Sequence, residues 1–372
     1  MAELAGADAV VNTDLTYIRE QLDTEMPRLS GSRLLITGGA GFLGYYMVQA
    51  VLRQNDEGGR EPVELTILDN FMRGTPPWIA RISERSDVKL LTHDIRQPLP
   101  DSLGQLDFIV HAAGIASPHV YRRHPLETMD ANVNGLRYLL DEAARQTAEG
   151  HQISGFLFYS SSEIYGDPHP DAIPTPESYR GNVSCTGPRA CYDESKRYGE
   201  TLAVTFADQH ALPIAIARPF NNYGPGMKVN DGRVIADFCR AVIEGRDITM
   251  FSDGSPRRTF CYVADAVIGY YKILTRGLPG ESYNIGSDGP EISMAELARL
   301  VAEAGRTLFD YQGEVVLGKS NDAEYMTDNP NRRCPDLTKA RTELDYEPEV
   351  DLLEGIRRTL IWYRDNAAAV GE

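Results

Sequence analysis

From position 33 onward the chain alternates short apolar runs with longer stretches whose apolar residues recur at helical spacing. The runs at 34–37, 65–68, 89–91, 108–111, 155–160 and 214–217 read as strands. The stretches at 43–54, 125–147 and 188–209 read as the helices between them. Strand–helix alternation of this kind predicts an α/β fold with a parallel sheet covered on both faces. Ahead of it, Asp14, Leu15, Tyr17, Ile18, Leu22 and Met26 give 14–30 the pattern of a short amphipathic helix. After Arg218 the texture changes. Gly-, Pro- and Asn-rich loops occupy 219–232 and 252–259, with helical patterns at 231–244, 292–304 and 351–366. The expected organisation is therefore an N-terminal extension over 1–30 and a sheet domain over 31–218, with segments near 257–290 returning to it. A smaller α/β lobe is expected from 219–256 and 291–372.

A length of 372 residues exceeds what one core usually serves, in keeping with a main unit and a second lobe. A net charge of −17 argues against a nucleic-acid surface, which needs a basic stripe. No apolar run is long enough for a membrane helix, so no membrane partner is expected. The first thirteen residues carry acids and lack the basic start of a signal peptide. Five scattered cysteines make neither a disulfide framework nor a Cys-x-x-Cys metal site. The expectation is a cytoplasmic protein with no metal.

The first strand runs into Thr37-Gly38-Gly39-Ala40-Gly41-Phe42-Leu43-Gly44 and then a helix. Gly38, Gly41 and Gly44 in that setting permit a tight turn and let backbone N–H groups approach a pyrophosphate at a helix N-terminus. Asp69 ends the next strand, where a carboxylate accepts the hydroxyls of an adenosine ribose. That choice favours NAD over NADP, although Arg73 lies close by. Asp94, after the third strand, is a candidate for the adenine amine or an ordinary loop acid. The fold so read is a doubly wound parallel Rossmann sheet. Further on, Tyr192 and Lys196 stand four residues apart and share a helix face. A cation beside a phenol favours the phenolate, which makes Tyr192 a candidate base for a sugar hydroxyl.

These features resemble the extended short-chain dehydrogenase/reductase superfamily, from about residue 31 onward. Several stretches are similar to its UDP-glucuronate decarboxylase (UDP-xylose synthase) branch. They are Ala116-Ser-Pro-x-x-Tyr121, Ser162-Glu-Ile-Tyr-Gly-Asp-Pro168, Asn230-Asp-Gly-Arg-Val234, Arg333-x-Pro-Asp336 and, most specific, Gly187-Pro-Arg-Ala-Cys-Tyr-Asp-Glu194. The resemblance implies a hydride-transfer triad of Ser161, Tyr192 and Lys196, with NAD as cofactor and a UDP-linked sugar as substrate. It implies a homodimer built on the helices at 125–147 and 188–209, with Leu136, Tyr138, Leu139, Leu140, Leu202, Val204 and Phe206 as its apolar residues. Related 4,6-dehydratases carry an Asp-Glu pair where this chain has Ser162-Glu163, so the acid that expels water is missing and decarboxylation is favoured. Glu163 is then the candidate for proton return at C5, or else a structural carboxylate. Arg258 matches the arginine near the substrate, with Arg257 as the structural alternative. Arg233 and Arg333 are candidates for the diphosphate or else surface ion pairs. Asn221 matches a phosphate contact, and Tyr121 is expected over the sugar. Two departures stand out: Arg180 where the branch has tryptophan, and Ser195 where it has glycine before the lysine. The competing reactions are a C4-epimerase and, from another class, an NAD-binding regulatory protein.

Overall fold

Seven parallel strands make the central sheet. In a computed structural model describing residues 5–319, 327 and 329–370, six of them are β1 (Arg33–Thr37), β2 (Glu64–Asp69), β3 (Val88–Thr92), β4 (Phe108–His111), β5 (Gly155–Tyr159) and β6 (Ile214–Pro219). The seventh, Ser282–Ile285, arrives from beyond position 257 and pairs with β6. The spatial order is seventh strand, β6, β5, β4, β1, β2, β3. On β1, Leu34 faces Leu65 of β2 on one side and Phe108 of β4 on the other. Chain direction through the sheet reverses at that point, which opens a crevice at the carboxyl ends of β1 and β4.

Alternation along each strand divides the core into two layers. Leu34, Ile36, Ile67, Val110, Leu157 and Ala217 face one layer. Leu35, Leu68, Ile109, Phe156, Phe158 and Ile216 face the other. β4 and β5 are buried along their whole length, as a sheet covered on both faces requires.

The helices refine the expectations. The N-terminal helix α1 spans Ala7–Gln21, earlier than the pattern suggested, and a separate 3-10 turn at Met26–Leu29 follows with Pro27 in its first positions. Helix α2, Phe42–Glu57, leaves the glycine turn. The stretch expected at 125–147 is helical at Pro125–Asp130 and Leu136–Ala148 with a π-turn, Ala131–Gly135, between them. The helix expected at 188–209 runs over Ala190–His210. Beyond β6, helices Val234–Ile243, Met294–Phe309 and Leu352–Val370 pack with small two- and three-stranded sheets. Ile292–Ser293, expected to be helical, is a short strand that pairs with Arg257–Arg258. Ser293 then caps the following helix in a reciprocal box with Glu296.

Candidate active site

A cleft of about 1170 Å³ opens at the crevice. Every candidate residue named from the sequence lines it except Ser161, whose neighbours Ser160 and Ser162 do.

The glycine turn forms its floor. Gly38 has φ 69°, and a Cβ there would lie 2.7 Å from the Ala113 backbone. A Cβ on Gly44 would run into the Gly39 carbonyl. Gly41 caps α2. The turn is thus a cradle that side chains would fill, at the start of a 16-residue helix. Asp69 ties it down, accepting hydrogen bonds from Ala40 N (3.1 Å) and Phe71 N (2.8 Å). Burial pushes its pKa up, and these backbone donors pull it back. Arg73 is turned away from Asp69 and ion-paired at 3.0 Å to the buried Asp231. That removes the competing cation the sequence placed beside the ribose carboxylate. Asp94 is taken up by Arg96, whose guanidinium holds its carboxyl below the usual range.

Tyr192 and Lys196 sit in the first two turns of helix Ala190–His210, both buried. The Lys196 ammonium donates to Tyr159 O at 2.8 Å and lies 5.8 Å from the Tyr192 ring centre. Burial lowers the Lys196 pKa to about 7. Burial also raises Tyr192 to about 12, with the Ser161 hydroxyl as the hydrogen-bonding partner that opposes the rise. The expected lowering of the phenol by the neighbouring ammonium is therefore not what these residues produce by themselves. Desolvation outweighs it. Ser161 caps the 3-10 turn Ser162–Tyr165 and accepts from Glu163 N at 3.2 Å.

Glu163 is gripped by two guanidiniums. Arg189 bonds one carboxylate oxygen, and Arg333 spans both, at 2.8 Å on the shared one. Burial pushes the carboxyl up, but Arg189 and Arg333 overcome it and hold it at about 2. Arg333 is thus not a surface ion pair, and Arg189 is a site residue the sequence reading left without a role. Its place in the Gly187-Pro-Arg-Ala-Cys-Tyr string was the available signal, but its partner lies 26 positions away. Arg258 spends its hydrogen bonds on the carbonyls of Arg257, Pro330 and Asn331, and burial lowers its pKa to about 9. Arg233 pairs with Asp231 at 2.7 Å and lies over the Phe42 ring. Asn221, at φ 43°, donates to Thr259 O. Tyr121 stacks on Tyr192, ring centres 5.2 Å apart and planes within 9°. Arg180 is exposed and does not line the cleft. Ser195 is used in packing, accepting from Asn132 of the π-turn at 2.9 Å.

The profile of the NAD dependent epimerase/dehydratase family matches residues 34–286. UDP-glucuronic acid decarboxylase 5 of Arabidopsis thaliana is 38% identical over 329 residues, which is 88% of each chain. UDP-glucuronic acid decarboxylase 1 of Xenopus tropicalis is 33% identical, covering 89% of this chain and 72% of its own. Among solved structures, an epimerase from Methanothermobacter thermautotrophicus has a TM-score of 0.77 at 25% identity, covering 96% of this chain and 98% of its own. A dTDP-glucose 4,6-dehydratase from Streptomyces venezuelae with NAD bound reaches 0.75 at 25% identity, covering 90% and 98%. With a profile match running from β1 to just past the seventh strand, the chain belongs to the NAD-dependent epimerase/dehydratase family.

Proposed function

We propose that this protein decarboxylates a UDP-linked uronic acid of the UDP-glucuronate type through a 4-keto intermediate, with NAD held in the cleft and no net redox change. The observation that carries the choice of reaction is Glu163, kept ionised by Arg189 and Arg333 beside Tyr192. Loss of water from C6 needs an acid to protonate the departing hydroxyl. Ser162 is too weak an acid for that, and Glu163 carries no proton to give. Loss of CO₂ needs no such acid.

The residues divide the work as follows. Gly38, Gly41 and Gly44 receive the pyrophosphate, and Asp69 receives the adenosine ribose, which selects NAD. When bound, NAD would supply the hydride acceptor for C4, and its cationic ring would favour the Tyr192 phenolate. Tyr192, steadied by Ser161 and with Lys196 behind it, takes the proton of the C4 hydroxyl. The resulting ketone makes the C5 carboxylate a β-keto acid. When CO₂ leaves, the electron pair collects on the C4 oxygen, where the Tyr192 hydroxyl stabilises it. Arg189, Arg258 and Arg333 gather around Glu163, with Asp193 3.9 Å from Arg189, and guanidiniums on the cleft wall suit a carboxylate from the substrate. Arg233 and Asn221, both on the cleft wall, would contact the diphosphate, with the elements after β6 as the nucleotide-sugar side of the cleft. A C4-epimerase of the same uronate shares every step up to the ketone. Incubation with UDP-glucuronate and mass analysis of the product separates the readings. Loss of CO₂ is the expected result, whereas an isomer of unchanged mass would make the protein an epimerase.

A further inference from the structure

Once CO₂ has left, C5 needs a proton, and Glu163 does not supply it because Arg189 and Arg333 occupy its carboxylate. Among the described residues, two hydroxyls on the cleft wall are buried without a hydrogen-bond partner, those of Ser160 and Tyr121. An aliphatic alcohol is a much weaker acid than a phenol. Tyr121 closes the short helix Pro118–Tyr121, is 1% exposed, and lies flat against the Tyr192 ring. Its residue lines the same cleft as Glu163 and Arg189, and its hydroxyl feels the charges of Arg189, Glu163 and Asp193. Burial pushes its pKa up and Arg189 pulls it back, which leaves the phenol protonated at neutral pH. A buried donor without an acceptor is costly to a fold unless something else uses it.

We propose that the Tyr121 hydroxyl delivers the proton to C5. The inference rests on the decarboxylase reading above. The C5–carboxylate bond breaks and CO₂ departs, leaving its electron pair shared between C5 and the C4 oxygen under the Tyr192 hydroxyl. That pair then forms the C5–H bond with the Tyr121 proton, and the C4 ketone returns. Tyr121, briefly a phenolate near Arg189, regains a proton from solvent, which accounts for the one proton consumed per CO₂ released. A donor fixed on one wall makes protonation one-sided.

The test is turnover of UDP-glucuronate in D₂O by the NAD-loaded protein, following NADH absorbance, CO₂ release and the configuration of deuterium at C5. Wild type is expected to place one deuterium in one configuration. Tyr121→Phe keeps the stacked ring. It should form NADH and release CO₂ at near wild-type rates, while the later return of NADH to NAD slows by about 10²-fold and deuterium enters C5 from both sides. A fluorotyrosine at position 121, folded as wild type, should move the pH profile of that late phase downward. Tyr121→Phe turning over at the wild-type rate with one configuration would overturn the proposal. So would loss of NADH formation, which would make Tyr121 a positioning residue for Tyr192. Absence of CO₂ from wild type would instead remove the decarboxylase reading beneath it.

Discussion

Glu163 shows how strongly neighbours reassign a residue. Free in water its carboxyl titrates near 4.5, but between Arg189 and Arg333 it is held at about 2. A depressed carboxylate stabilises the fold above the unfolded value, and that stability is lost as pH falls through the folded one. Glu163→Gln should therefore be less stable than wild type at pH 7, because two buried guanidiniums lose their counter-charge. The gap should close as pH drops from about 4.5 toward 2. Urea midpoints of both proteins at pH 7 and near pH 3 check this, and a gap that stayed constant would mean the ion pair contributes nothing. At this scale the sequence was legible where spacing is local. Tyr192 and Lys196 share a helix turn, and Gly38, Gly41 and Gly44 share a loop. The grip on Glu163 was not legible, because Arg333 lies 170 positions away. Nor was the pKa of Tyr192, since desolvation depends on what the fold packs around a side chain.

At the scale of elements, α1 does more than cover a surface. Asp14 on its inner face is fully buried and accepts hydrogen bonds from Tyr46 of α2, Tyr262 and Arg358 of helix Leu352–Val370. Tyr17, one turn on, donates to Asp265 at 2.7 Å. These bonds fasten α1 to the sheet's covering helices and to the C-terminal helix together. Asp14→Ala should cost about 3 kcal/mol, since it leaves the buried phenols of Tyr46 and Tyr262 without an acceptor and takes from Arg358 one of its two carboxylates, the other being Glu354. A urea unfolding midpoint measures it, and a shift within error would mean the network reorganises around the gap. The amphipathic pattern announced a helix here, yet missed its start, because Ala7–Val11 carries little contrast between polar and apolar positions. The π-turn at Ala131–Gly135 was equally invisible. Within it Asn132 donates to Ser195 on the adjacent helix, a contact between segments 63 positions apart.

For the whole molecule, the alternating pattern was enough to indicate a doubly wound sheet, while the seventh strand needed tertiary pairing to be recognised. Of the residues expected on the dimer face, Tyr138, Leu202 and Val204 are half-exposed. Leu136, Leu139, Leu140 and Phe206 are buried in this chain's own core. The apolar side chains left exposed on the same helices are Leu126 (71%), Met129 (44%) and Tyr198 (52%). If these pack against a second copy, Leu126→Glu with Tyr198→Glu should turn a dimer into a monomer by light scattering at micromolar concentration. A wild type that is already monomeric would show the helices have another use. The Asp14 network also has a consequence for the order of events during synthesis. Arg358, the charged partner of Asp14, is made 344 positions after it. At translation rates of about 5–20 residues per second, that is a wait of roughly 17–70 s. Until then the carboxylate has no guanidinium to enter the core with. Docking of α1 through this pair is thereby tied to arrival of helix Leu352–Val370.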